Sequence, residues 1–125
     1  MLHLTYRGTN FSGWQIQPNA NSVQETLTAA LQQLLRQEIE IVGCGRTDAG
    51  VHARSYYIHF DCEGDLPTNL VYRLNRILPT DIVIYELLDN IPQDIHARYS
   101  ACSRAYQYHI HFAKDPFLQG LSYYY

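Results

Sequence analysis

The sequence predicts an α+β domain, a small antiparallel sheet with two helices on one face. Two stretches place apolar residues at helical spacing, and four shorter ones read as strands. Their order is β-α-β-β-α-β, the split βαβ or ferredoxin-like pattern. The length, 125 residues, predicts a single domain over 1–125. A chain of this size removes about two thirds of its unfolded surface from water, enough for a real core.

The first strand is read from Leu2, Leu4 and Tyr6 alternating with His3, Thr5 and Arg7. A turn-rich loop over 8–13 leads to Trp14, and 15–21 is irregular around Pro18. The helix over 22–37 opens on a capping box, Ser22 with Glu25. Val23, Leu27, Ala30, Leu31, Leu34 and Leu35 form its apolar face. Strands follow over 38–44 and 55–62. In the latter, Tyr56, Ile58 and Phe60 share one face, and Tyr57 and His59 the other. Gly64, Asp65 and Pro67 then break the chain. A second helix over 68–78 turns Leu70, Leu74, Ile77 and Leu78 to the core, and Pro79 stops it. Ile82–Leu87 is the fourth strand. Further on, Arg104, Tyr106, Tyr108, Ile110 and Phe112 alternate with Ala105, Gln107, His109 and His111, which predicts an additional long C-terminal strand over 104–112. The closing Tyr123-Tyr124-Tyr125 reads as a strand whose partner lies further on.

Composition narrows the setting. No apolar run reaches the ~18 residues of a membrane span, and no apolar signal region follows the start. Cys44, Cys62 and Cys102 are odd in number and widely spaced. They fit neither a disulfide framework nor a C-x-x-C metal site, so a reducing cytoplasm is the expected location. His109 and His111 share one side, but no Cys or carboxylate completes a ligand set, and no metal is expected. The net charge of −3 excludes an indiscriminate nucleic-acid binder. Eight of the nine basic residues are nevertheless Arg, which holds phosphates bidentately and stacks on bases. Eleven Tyr add stacking surfaces, although most fit half-buried strand positions.

One stretch carries unusual chemistry: Gly43-Cys44-Gly45-Arg46-Thr47-Asp48-Ala49-Gly50-Val51-His52-Ala53. Apolar residues enter it and aromatic ones leave it, so it is a tight loop between two strands. A P-loop would need a Lys after the last Gly, and Val51 stands there. A dinucleotide fingerprint would need a third Gly where Asp48 stands, and a carboxylate there repels a pyrophosphate. A plain structural turn with a solvated Asp is the bland alternative.

The segment Gly45-Arg46-Thr47-Asp48-Ala49-Gly50-Val51-His52-Ala53 resembles the active-site motif of the tRNA pseudouridine synthase A family. Tyr6 to Gln15 is similar to that family's first strand and loop, and Ser22 to Glu25 to the start of its first helix. Asp94 to Ala101 and Arg104 to Tyr108 match later segments in the same order. The resemblance covers nearly the whole chain as the N-terminal half of such an enzyme, with a comparable C-terminal half absent. It implies isomerisation of uridine to pseudouridine in the anticodon arm of tRNA, without metal or organic cofactor. It implies Asp48 as the catalytic carboxylate. It implies Arg46 and Tyr106 as substrate-binding residues, Arg46 helping to flip the base and keeping Asp48 ionised, Tyr106 stacking on the base. Gly45, Thr47, Gly50 and His52 support the loop. A homodimer is implied for the complete enzyme, and no membrane. Two alternatives stay open: a catalytically silent RNA-binding module, and an unrelated carboxylate enzyme such as a glycosidase, which needs a second carboxyl group from elsewhere in the fold.

Overall fold

The computed structural model describes residues 1–125. A four-stranded antiparallel sheet is built from β1 (Leu2–Tyr6), β2 (Ile41–Gly43), β3 (Ala53–Phe60) and β4 (Ile82–Leu87), in the order β2-β3-β1-β4. Helices α1 (Val23–Leu35) and α2 (Leu70–Ile77) provide the two crossovers. The expected ferredoxin-like arrangement is therefore present. Neither helix is long and apolar enough to cross a membrane.

Period-two patterning decides the sheet. Leu2, Leu4 and Tyr6 are buried, while His3 and Thr5 between them are only half-buried. Register aligns Leu4 with Tyr56 on one side and with Ile84 on the other, so one face becomes a continuous apolar layer. Val23, Leu27 and Leu31 of α1 and Leu70 and Leu74 of α2 close over it in a single core. On the opposite face the His3 ring stacks on Tyr57, with centroids 4.5 Å apart.

Local chemistry fixes both helices. The Ser22 hydroxyl accepts from the Glu25 N–H at 3.1 Å, the N-terminal half of the expected capping box. Arg36 turns left-handed, φ 54°, and its N–H donates to the Gln32 carbonyl. The helix thus ends at Leu35, two residues before the expected boundary. In α2, Leu78 is extended ahead of Pro79, as a residue before proline must be. Ile77, expected in the core, is instead 39% exposed. The Asn75 side chain both donates to and accepts from the Ile84 backbone, at 2.9 and 2.8 Å, which locks α2 to β4.

The C-terminal region corrects one expectation. The long strand over 104–112 is reduced to β5 (Ile110–His111), paired in parallel with β6 (Tyr123–Tyr124). Alternation supplies strand propensity, but a strand persists only where a ladder partner lies alongside. Tyr123 and Tyr124 supply one at 110–111, and nothing does so for 104–109. Between β4 and this region, Ala97 is buried and its N–H donates to Nδ1 of His59 at 2.9 Å. The His96 ring meets His59 edge-on at 4.5 Å.

Two consequences are measurable. Gly43 sits against the indole of Trp14, where an added Cβ would lie 2.6 Å from a ring carbon. Gly43→Ala is expected to lower stability by about 1–3 kcal/mol, read from the denaturant midpoint. Burial, helped by the neighbouring His96, holds the His59 imidazole below its ordinary value of 6.5. The unfolded chain therefore takes up this proton first, and stability falls as pH drops through 6.5 towards the lower folded value. His59→Gln, which keeps an acceptor for Ala97, is expected to flatten that acid slope in denaturation curves taken at successive pH values.

Candidate active site

The loop between β2 and β3 rests on an aromatic floor. Tyr6, Trp14 and Tyr56 are each at most 4% exposed. Trp14 and Tyr56 lie 4.6 Å apart by centroid, and Tyr6 meets Tyr56 edge-on at 5.4 Å. Such pairs add about 0.5–1.5 kcal/mol each beyond their buried area. The two tyrosine hydroxyls point into the loop. The Tyr56 hydroxyl donates to the Gly45 carbonyl. The Tyr6 and Thr47 hydroxyls are bonded at 2.7 Å.

The loop backbone is held along most of its length. Cys44 N–H donates to the Tyr57 carbonyl at 2.9 Å, and Arg104 Nε donates to the Cys44 carbonyl. Trp14 N–H donates to the Thr47 carbonyl at 3.1 Å, Val51 N–H to the Asp48 carbonyl at 3.2 Å, and Gly50 N–H to the Phe11 carbonyl at 3.3 Å. Gly13 takes φ +90°, and a Cβ there would press on the Thr47 carbonyl at 2.6 Å. Glycine at this position lets the segment after β1 run directly beneath the loop.

Each expected residue can now be placed. Asp48 is exposed, and its carboxylate has no hydrogen-bond partner within the chain. Arg46 is exposed and lines the same groove, together with Ser12 and Gln15. The two side chains form no ion pair. Thr47 and Gly45 are half-buried and carry the hydroxyl and carbonyl contacts to the floor. Gly50 takes φ +80° at the turn. His52 accepts from the Gly8 N–H at Nδ1, 2.9 Å, which leaves Nε2 to carry the proton and donate to the Gly120 carbonyl at 2.9 Å. Tyr106 is 60% exposed and does not line the groove, yet it lies near enough to Tyr6 to help raise that hydroxyl. No three His, Cys, Asp or Glu side chains gather closely enough to hold a metal ion.

Sequence reading did not anticipate Tyr6, Trp14, Tyr56 or Arg104 as parts of the site. The first three read as ordinary core aromatics, because alternation shows which face a ring takes and not what its hydroxyl meets. For Arg104 the only hint was its place two residues before Tyr106.

The arrangement defines a class: a ferredoxin-like domain that presents one unpaired carboxylate and one guanidinium on a backbone-fixed loop over buried aromatics. Residues 4–100 match the family described as tRNA pseudouridine synthase, and the chain belongs to that family. It is 49% identical over 123 residues to tRNA pseudouridine synthase A of Porphyromonas gingivalis, covering 96% of this chain and 48% of the relative. It is 51% identical over 117 residues to the protein of that name from Bacteroides thetaiotaomicron, covering 93% and 43%. For the Aquifex aeolicus protein the identity is 40% over 125 residues, covering 98% and 52%. The chain thus spans about half the length of the curated relatives it matches.

The two buried phenols give a test of the floor. Burial pushes the Tyr6 hydroxyl up to about 12, against a smaller opposing effect of its bond to Thr47. Burial and the neighbouring Tyr6 push Tyr56 up as well. Both therefore keep their protons well past the ordinary value of 10, while the unfolded chain loses them there, so stability falls as pH rises above 10. Tyr6→Phe is expected to cost about 1 kcal/mol in chemical denaturation, and Tyr56→Phe about 1–3 kcal/mol because it strands the Gly45 carbonyl. Each variant should also lack one late-titrating tyrosine in an ultraviolet absorbance titration.

Proposed function

We propose that this chain supplies the catalytic loop of a tRNA pseudouridine synthase, an isomerase acting in the cytoplasm on the anticodon arm of tRNA. The observation that carries the reading is the unpaired Asp48 carboxylate, held out on a fixed backbone in a chain of this family. The uracil N1–C1′ bond breaks, the base turns, and a C5–C1′ bond forms. The proton displaced from C5 is balanced by one gained at N1. No electrons are exchanged, so the reaction needs no redox partner. Asp48 serves as the nucleophile at C1′ or stabilises the positive charge that develops there.

The target base has to leave its stack, at a cost of a few kcal/mol. Arg46, beside Asp48 in the groove, offers five donors for a phosphate or the vacated position. Tyr106, exposed and free of structural bonds, offers a face for the base to stack on. Thr47 and His52 act on the backbone: they hold the loop so that Asp48 needs no rearrangement on binding. The complete enzyme acts as a homodimer.

A second reading, binding without turnover, is favoured by one feature. Asp48 is open to water, which weakens every electrostatic interaction at the site. Tritium release from tRNA labelled at uridine C5 separates the two. In the complete enzyme, release by the parent and none by Asp48→Ala is expected, whereas the 125-residue chain, which spans about half the length of its relatives, is expected to show little or none. Because Asp48 is exposed and unpaired, that variant should keep its stability within about 0.5 kcal/mol. Equal release by the variant overturns the assignment of Asp48. Salt-sensitive tRNA binding by the parent with no release supports the binding module instead.

A further inference from the structure

Residues 101–108 run beside the site with almost nothing to hold them. Their backbone makes no hydrogen bond to any other backbone group. All but Ala101 are exposed. Apart from a local contact of Cys102 Sγ with the Ser100 carbonyl, one side chain is the exception to this isolation. Arg104 Nε donates to the Cys44 carbonyl, at the first peptide of the Asp48 loop. One of its terminal nitrogens donates to the Arg98 carbonyl at 2.7 Å. Its stem crosses Gly45, where an added Cβ would stand 3.2 Å from Nε and 3.4 Å from Cδ. The next carbonyl along, that of Gly45, is taken by Tyr56 from below. Two consecutive loop carbonyls, those of Cys44 and Gly45, are therefore each held by a side-chain donor.

We propose that Arg104 is a positioning residue, whose guanidinium ties the Tyr106-bearing segment to the start of the Asp48 loop and so keeps Tyr106 within reach of the site. The role in turnover rests on the reaction proposed above; the role as a tether does not. Guanidinium suits the task because its planar fork reaches two carbonyls at once, which an ammonium cannot do in the same geometry. Tyr106 stands only two residues further along the chain, so it lies within about 7 Å of the tethered position.

Limited chymotryptic digestion of the 125-residue chain tests the tether. In Arg104→Ala, cleavage after Tyr106 and Tyr108 is expected to accelerate several-fold, with Tyr72 in α2 and Tyr85 in β4 unchanged as internal controls. Arg104→Lys should fall between parent and Ala. Unchanged cleavage after Tyr106 and Tyr108, or equal acceleration at all four tyrosines, overturns the proposal. Tritium release by the complete enzyme tests the positioning. Arg104→Ala should lower kcat about tenfold or more while KM stays near the parent value, and Arg104→Lys should recover part of kcat. An unchanged kcat, or a loss confined to KM, overturns it. If the complete enzyme shows no turnover, the proposed reaction fails, and the digestion pattern of the 125-residue chain still decides whether Arg104 is the tether.

Discussion

The bond from the Tyr56 hydroxyl to the Gly45 carbonyl is the contact on which the site depends. Leaving this half-buried carbonyl without a donor costs about 1–3 kcal/mol, so the phenol is a principal hold on the loop's conformation. The phenol in turn needs room. Gly43 opposite lacks a side chain, and Trp14 closes the remaining space. Burial raises the hydroxyl's affinity for its proton, so it remains a donor throughout the physiological range. Sheet register, a glycine, an indole and a phenol thus converge on one peptide, three residues before Asp48.

The same logic extends to the segment after β1. Trp14 contributes its ring to the floor and its N–H to the Thr47 carbonyl. Gly13 and Trp14 also offer their carbonyls to the first turn of α1, accepting from Val23 and Gln24 at 3.2 and 3.0 Å. Two loops distant in sequence are therefore one unit, fastened to a capped helix. The polar side chains that leave this unit unbonded are those with chemistry to offer. Rigid backbone with free functional groups is the arrangement that preorganisation calls for, because little ordering remains to be done on binding. The region beyond Ala97 differs. It is fastened at His59, at Arg104 and at His52, with exposed chain between these points.

Much of this was legible in the residues. Alternation in Leu2–Tyr6, the Ser22 cap, Pro79 and the helical spacing of Leu70 and Leu74 each state a local preference that the tertiary structure reinforces. The loop around Asp48 was legible for a different reason: its glycines and its mixed Arg, Thr and Asp have no use in a strand or helix core. Where the reading failed, the deciding partner was remote. Ile77 has core spacing but lies on the outer side of a short helix. Residues 104–109 alternate correctly yet have no neighbouring strand.

The sequence by itself determined the order of elements and most of the core faces, because these follow from short-range periodicity, while the candidate carboxylate was placed by the resemblance of residues 45–53 to a family motif. Only the tertiary structure decided that Tyr6, Trp14 and Tyr56 form the floor of the loop and that Arg104 bridges to Cys44. Those outcomes depend on which groups meet across 40 to 60 residues of chain, such as Tyr6 with Thr47 and Arg104 with Cys44, separated by 41 and 60 positions. Side-chain hydrogen bonds act over about 3 Å, and no periodicity along the chain encodes a contact of that reach between distant segments.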